Sequence, residues 1–436
     1  MTTEFHVQDV AISTLAAEYG TPLYIYDAEV IARQYHGLRS RLHPRVDIFY
    51  SLKANPNIAI CALLRTLGAR AEVSSLAELL TARRAGVTAE DIVFLGPGKR
   101  IEELAACLDQ NIGIVVCESL EELALIDRLA RERAMKAQVA LRVNPAFSVK
   151  GAKLAMGGTS RQFGIDEEVL LADPAVATRF SSIELIGVHV YLGTRVLHAP
   201  VIAEHARRIL QLAELIATTS RFPLEVVDIG GGLGVAYFDG EQDLDPDELT
   251  DLLNPIIETF ATDHPHTRIV MELGRYLTAP AGIYVSRVQY IKESRGQRFA
   301  IVDGGTHHHM AAVGVGSFVK RNFPIALLSR TDAETDGLWN IAGPLCTPQD
   351  TLGRNVSLPT LERGDLIGVH RSGAYGPSAS PVLFLGHGHP AEVLVHNGRP
   401  HLVRERDRPD DLLARQRTPD FLEDPTWFSR STTQRS

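Results

Sequence analysis

A (β/α)8 barrel with a second, β-rich domain is the architecture the sequence predicts, and three observations predict it. Eight short apolar runs begin near Val46, Arg70, Ile92, Ile112, Ala137, Glu184, Leu224 and Arg268, separated by stretches with helical spacing. That alternation marks parallel strands with helical crossovers, and eight of them close a barrel. Two crossovers open on S-x-x-E capping boxes, Ser75 with Glu78 and Ser119 with Glu122. Beyond Gly274, strand-like segments follow one another without long helices. An open doubly wound sheet would place a G-x-G-x-x-G turn after its first strand, whereas the Gly-rich turn here comes only after the seventh.

In chain order, Leu23 to Tyr26 reads as a strand ending at Asp27, a residue suited to cap the helix that opens the barrel. The barrel is expected over 28–276, with early strand intervals of about 20 to 25 residues and later ones of 40 or more. Residues 1–27 and 277–403 are expected to form the β domain, with strands over Ile283 to Ile291, Arg298 to Asp303, Asp365 to His370 and Ala391 to Val395. The remainder, 404–436, is a charged, proline-bearing extension. No internal repeat is present.

With 436 residues, 45% of them hydrophobic, the chain is long enough for about two or three domains and folds by burial. Its 44 basic and 53 acidic residues, formal charge -9, provide no electrostatic footprint for nucleic acid or an anionic membrane. No apolar run reaches the ~18 residues of a membrane span, and Met1 to Asp9 lacks the halves of a signal peptide, so a cytoplasmic location is expected. The four cysteines show no CxxC spacing, which argues against a disulfide framework or a zinc site. Cys61, Cys107 and Cys117 sit in core-like surroundings, whereas Cys346 lies in the loop-like run Gly343 to Pro348. His307, His308 and His309 are consecutive and cannot share one side of an element; they are expected as surface or loop residues, and no metal site is expected.

A barrel presents its chemistry at the carboxyl ends of its strands. Lys53 follows the first strand, Glu72 and Ser74 the second, and Gly96-Pro97-Gly98-Lys99 the third. Arg142 and Asn144 follow the fifth, His189 and Tyr191 the sixth, Gly230-Gly231-Gly232 the seventh, and Glu272-Leu273-Gly274-Arg275 the eighth. Three adjacent glycines let backbone N–H groups close on an anion such as a phosphate, although a tight loop needing positive φ explains them equally well when taken alone. A lysine enclosed by a barrel mouth is expected to lose its proton more readily and to form a Schiff base. A carboxylate such as Glu272 would keep a pyridine nitrogen protonated, and Tyr191 or His189 would stack on the ring. Together these groups describe a pyridoxal 5'-phosphate site.

The chain resembles the fold type III pyridoxal-phosphate decarboxylases, the family of diaminopimelate, ornithine and arginine decarboxylases with the alanine-racemase type of barrel. The likeness covers roughly 20–400 and is carried by Phe49-Tyr50-Ser51-Leu52-Lys53-Ala54-Asn55, Asp228-Ile229-Gly230-Gly231-Gly232, Glu272-Leu273-Gly274-Arg275, Gly343-Pro344-Leu345-Cys346 and Gly373-Ala374-Tyr375-Gly376. The resemblance implies that Lys53 holds the cofactor as an internal aldimine. It implies that Gly230, Gly231 and Gly232 with Gly274 and Arg275 bind the phosphate, and that Glu272 pairs with the pyridine nitrogen. It also implies a homodimer with shared active sites, in which Cys346 of the partner subunit protonates the carbanion and Tyr375 lies beside the cofactor.

Departures from the diaminopimelate pattern bear on the substrate. The ring-stacking position of many members aligns with Tyr191, with His189 two places earlier on the same strand face. Leu273 replaces a usual proline. Thr347 stands where diaminopimelate decarboxylases place a glutamate for the distal ammonium, so a distal amine would go unpaired there. Arg321, in Phe318 to Pro324, aligns with a carboxylate-binding arginine, but the accompanying tyrosine position is Ile325. Arg275, Arg321, Thr347 and Tyr375 are thus the expected substrate contacts. The pattern is similar to biosynthetic-cluster members, among them the butirosin-pathway decarboxylase of carrier-tethered glutamate and exosortase-associated decarboxylases. The expected reaction is decarboxylation of an amino acid, free or presented by a carrier protein, with meso-diaminopimelate as the alternative. An amino-acid racemase and a non-catalytic cofactor-binding homologue are the remaining rivals; CO2 release separates both from a decarboxylase.

Overall fold

The computed structural model describes residues 3–147, 154–155, 160–313 and 321–423. Eight parallel strands close on themselves: Val46–Ser51, Arg70–Val73, Ile92–Phe94, Ile114–Cys117, Ala137–Asn144, Ile183–His189, Val226–Gly231 and Arg268–Leu273. The last pairs back onto the first, Glu272 against Phe49 and Leu273 against Tyr50, so the barrel has no free edge. Each begins within about two residues of its expected position, because strands covered on both faces read as unbroken apolar runs. Phe49, Val93, Ile114, Val116, Ile186 and Val270 are among the side chains that fill the lumen, making its lower end a packed core.

The predicted caps form. Ser75 Oγ accepts from Glu78 N at 3.2 Å and Ser119 Oγ from Glu122 N at 3.0 Å. The reciprocal bonds run one residue further back, from Ser74 N to Glu78 Oε2 at 2.7 Å and from Glu118 N to Glu122 Oε2 at 2.8 Å. Asp27 caps the first barrel helix, Ala28–Arg39, accepting from Glu29 N and Val30 N.

A second sheet runs in the order Thr351–Leu358, Gly337–Ala342, Gln297–Val302, Gly282–Ser294, Leu23–Asp27, Ala391–His396, Arg399–Arg404, with Leu366–His370 bridging Gly282–Ser294 to Ile325–Leu327. Leu23–Asp27, from the start of the chain, lies in its middle, antiparallel to Gly282–Ser294 and parallel to Ala391–His396. Four of these strands, Ile325–Leu327, Gly337–Ala342, Thr351–Leu358 and Arg399–Arg404, are not among the segments named from the sequence. Thr351–Leu358 contains Gly353 and an Asn355 at φ 49°, which break the alternation, and Arg399–Arg404 contains Pro400, tolerated because this strand is at the sheet edge.

The three histidines correct an expectation: they lie in a loop, but inside the molecule. All three are buried. His308 Nε2 meets Gly388 O at 2.9 Å and His309 Nε2 meets Ser372 Oγ at 2.8 Å. Burial lowers their pKa values to about 4 for His307, about 2 for His308 and about 3 for His309, so they pack as neutral rings. Among the described residues, no helix is long and apolar enough to cross a membrane. Phe318 to Lys320 and the last thirteen residues of the extension lie outside the described residues.

Candidate active site

The carboxyl ends of the barrel strands open on a cavity of about 450 Å³. Lys53 enters it from the single turn Leu52–Ala54 after the first strand. That turn is held from behind: Tyr50 OH donates to Asn55 O at 2.7 Å, Tyr375 N to Ala54 O at 2.7 Å, and Asn55 Nδ2 to Gly373 O at 3.1 Å. The lysine turn and the Gly373-Ala374-Tyr375 turn are therefore bonded to each other directly. Tyr375 sits at φ 56°, a left-handed conformation that its neighbours must enforce.

Lys53 Nζ donates to Glu72 Oε2 at 3.0 Å, and Ser74 Oγ donates to Glu72 Oε1 at 3.0 Å. Glu72 is wholly buried, while Lys53 keeps 36% of its side-chain surface exposed. Burial pulls the Lys53 pKa down, but the carboxylates of Glu72 and Glu272 outweigh it and the pKa ends above its usual value. This reverses the expectation that enclosure alone would ease loss of the proton: two facing anions stabilise the ammonium by more than desolvation costs it.

The eighth strand delivers Glu272, buried beside His189 of the sixth, with His189 Nε2 3.2 Å from Glu272 Oε1. Burial raises the Glu272 pKa, but His189 and then Lys53 bring it below the ordinary value, so the carboxylate is ionised. Tyr191 lines the cavity with its ring centroid 5.8 Å from Lys53 Nζ. A narrow recess continues below, lined by Ser51, Thr194, Gly232, Gly274, Arg275 and Tyr375 among others. Gly230 and Gly232 have φ of 68° and 86°. A Cβ on Gly232 would stand 2.0 Å from Gly193 O, so the turn admits no side chain. Of the three glycines only Gly232 opens on this recess; Gly230 and Gly231 line a small void behind it.

Arg275 Nη1 donates to Tyr237 OH at 3.0 Å, and its guanidinium lies 4.4 Å from the Tyr375 ring centroid. Among the described residues no carboxylate pairs with it, and its Nε is buried without a partner. The other cavity cations are matched: Arg142 donates to Glu118 Oε1 at 2.7 Å and Lys99 to Glu122 Oε1 at 2.6 Å. A lone guanidinium over a glycine-walled recess, an ionised carboxylate on the floor and an amine between them suit the phosphate, basic ring nitrogen and aldehyde that pyridoxal phosphate carries.

Besides Gly230 and Gly231, three expected residues stand outside this cavity. Cys346 is exposed in the loop between Gly337–Ala342 and Thr351–Leu358, with Thr347 beside it. The buried Asp350 ties that loop down, accepting from Leu345 N at 2.8 Å and Thr306 N at 2.6 Å. Arg321 is exposed, its guanidinium 5.7 Å from the Phe238 ring centroid. Sequence reasoning placed Glu72, Ser74 and Arg142 on the rim without giving them a task and passed over Asp228. The signal for Asp228 was its place two residues before Gly230 in the glycine motif.

Comparison with known proteins agrees with this geometry. The family described as "Pyridoxal-dependent decarboxylase, pyridoxal binding domain" matches residues 28–279. The L-glutamyl-[BtrI acyl-carrier protein] decarboxylase of Niallia circulans is 41% identical over 415 residues, 94% of this chain and 97% of its own. The diaminopimelate decarboxylase of Aquifex aeolicus is 31% identical over 411 residues, 94% of this chain and 95% of its own. The solved diaminopimelate decarboxylase of Helicobacter pylori, complexed with L-lysine, superposes with a TM-score of 0.83 at 27% identity, covering 92% of this chain and 98% of that one.

Proposed function

The chain belongs to the pyridoxal-dependent decarboxylases, and from that premise we propose that it removes the α-carboxylate of an amino acid whose far end carries no free ammonium, a carrier-tethered amino acid being the favoured substrate. The observation that carries this is the state of the cavity's acids. Glu72 is engaged by Lys53 and Ser74, Glu103 by the backbone N–H groups of Leu76 and Arg100, and Glu272, 3.2 Å from His189 Nε2, is assigned to the cofactor's ring nitrogen. Among the described residues no lining carboxylate is left for a second ammonium, and Thr347, at the place where a glutamate would serve, has no charge. A thioester or amide tail needs no such partner, and the relative from Niallia circulans is named for a carrier-bound glutamyl group.

Pyridoxal phosphate, when bound, supplies the electron-withdrawing ring that accepts the electron pair left as CO2 departs. The chain supplies the rest. Lys53 would hold the cofactor through its aldehyde. Glu272 keeps the ring nitrogen protonated, with His189 steadying the carboxylate. Tyr191, which lines the cavity, would cover the ring, His189 being taken up beside Glu272. Gly232, Gly274 and Arg275 hold the phosphate, with Gly230 and Gly231 setting the turn, and Tyr375 stacks on Arg275. Arg321 orients a substrate carboxylate. Cys346 of the partner subunit delivers the proton from its Sγ to the substrate's α-carbon. The exposed position of Cys346, away from its own chain's cavity, supports this sharing of sites between two copies. The barrel, 28–276, is the cofactor-binding unit in this reading, and the β domain, 1–27 and 277–403, presents Cys346.

The test is incubation of the holoenzyme with glutamate, meso-diaminopimelate and carrier-thioester conjugates of amino acids, followed by mass spectrometry. Loss of CO2 from the conjugate is the expected result. A higher kcat/KM on meso-diaminopimelate would overturn the substrate assignment.

A further inference from the structure

Glu272 does not stand alone on the cavity floor. We propose that Asp228 is a neutral carboxyl whose Oδ2 donates to Glu272, so that the two acids share one proton and Asp228 positions Glu272 for the cofactor's ring nitrogen. This rests on the role given to Glu272 above and adds to it a residue that the reaction scheme leaves idle.

Asp228 and Glu272 stand on adjacent parallel strands, Asp228 in register with Val270 and Gly231 in register with Glu272. Between them the seventh strand carries an irregularity, where Gly230 turns through positive φ. Both carboxyls are 3% exposed. One potential ligand atom each from His189, Asp228 and Glu272 lies within 4.8 Å of the others. Asp228 Oδ1 is committed, accepting from Gly230 N at 2.8 Å. Asp228 Oδ2 and Glu272 Oε1 are buried, and neither makes a hydrogen bond among the described residues. His189 Nε2 is near Glu272 Oε1, but not aligned to bond it.

Two ionised carboxylates in so dry a place would repel and leave acceptors unanswered; a single proton turns one of them into a donor. The charges around them decide which one holds it. Glu272 faces His189, Lys53 and Arg142, all of which favour its ionised form. Asp228 faces Glu272 and, further off, Glu72, and burial followed by the Glu272 charge drives its carboxyl well above the ordinary range. The floor then carries one negative charge, matched to one protonated ring nitrogen, in a carboxylate held by its neighbour.

Infrared spectroscopy on the cofactor-free protein tests this directly. With isotope-labelled aspartate, the difference between wild type and Asp228→Asn at neutral pH is expected to show the C=O stretch of a protonated carboxyl in the wild type, lost in the variant. A difference holding only carboxylate bands would overturn the proposal, as would one stoichiometric metal ion in the purified protein, since the three groups would then be its ligands. A second arm titrates pyridoxal phosphate. The Asp228→Asn amide still accepts from Gly230 and offers Glu272 an N–H, so its affinity should stay within about threefold of wild type. Asp228→Ala should weaken binding about tenfold or more, as expected when a buried hydrogen bond to a charged group is lost. Equal affinities for all three proteins would overturn the positioning role. Failure of the wild type to bind pyridoxal phosphate would instead remove the role of Glu272, while the infrared arm would still read the shared proton.

Discussion

Lys53 shows how neighbours set chemistry at the scale of one residue. Its amine is more basic than enclosure alone would make it because Glu72 and Glu272 face it. In protein stripped of cofactor, Glu72→Gln should therefore lower the Lys53 pKa and speed its reaction with pyridoxal phosphate at neutral pH, read as growth of the visible absorption band. The stability consequence has a definite sign. A lysine whose folded pKa is raised stabilises the fold below its unfolded pKa, and that stabilisation fades as pH rises through the folded value. Glu72→Gln should thus lower the Tm near neutrality, with a smaller loss at strongly alkaline pH. Lys53→Ala should abolish the band and any borohydride-fixed label. Cys346→Ala should leave the cofactor bound but cost roughly 10²-fold in kcat, the low end of what a positioned proton donor contributes. A bleached Cys346→Ala protein would contradict its assignment.

At the scale of elements, the site is a meeting of turns rather than of helices or strands. The lysine turn and the Tyr375 turn are tied by Tyr375 N to Ala54 O and by Asn55 Nδ2 to Gly373 O. Asn55→Ala should cost about 1–2 kcal/mol in thermal or denaturant unfolding and quicken cofactor loss, because it leaves a buried carbonyl unanswered. The glycine turn after the seventh strand is stricter. Gly232→Ala places a Cβ 2.0 Å from Gly193 O in a positive-φ backbone, so the loops after the sixth and seventh strands must part. The expected result is destabilisation of about 2 kcal/mol or more and a larger Kd for pyridoxal phosphate. Both turns were visible as motifs in the sequence, but their mutual bonding was not. Asn55 and Gly373 are far apart along the chain, and no local pattern announces a contact between two loops.

At the scale of the whole molecule, two further outcomes follow. His307, His308 and His309 are buried and neutral, with folded pKa values below the 6.5 of a free imidazole. The unfolded chain therefore binds more protons, and stability is lost as pH falls from about 6.5 toward about 4, before most carboxylates titrate. His307→Phe should flatten that decline in Tm, since neither His307 ring nitrogen has a hydrogen-bond partner among the described residues. The second outcome concerns assembly. If two copies build each site, Lys53→Ala chains, inactive alone, and Cys346→Ala chains, at about a hundredth of wild-type activity alone, should reach about a quarter of wild-type activity when mixed, because half the dimers are mixed and each holds one intact site.

The sequence by itself determined the barrel, since strands covered on both faces must be apolar throughout. It also determined the chemical types at the rim, since lysine, glutamate, arginine and glycine are required by what they do. It did not reveal the strands Gly337–Ala342 and Thr351–Leu358, whose burial is partial and interrupted, or the inward turn of the histidine run. Only the tertiary structure decided which charges face one another: that Glu72 holds Lys53, that Asp228 lies near Glu272, and that Arg275 meets no carboxylate among the described residues. The reason is that electrostatic effects depend on distance and burial, and neither is encoded in the spacing of residues along one chain.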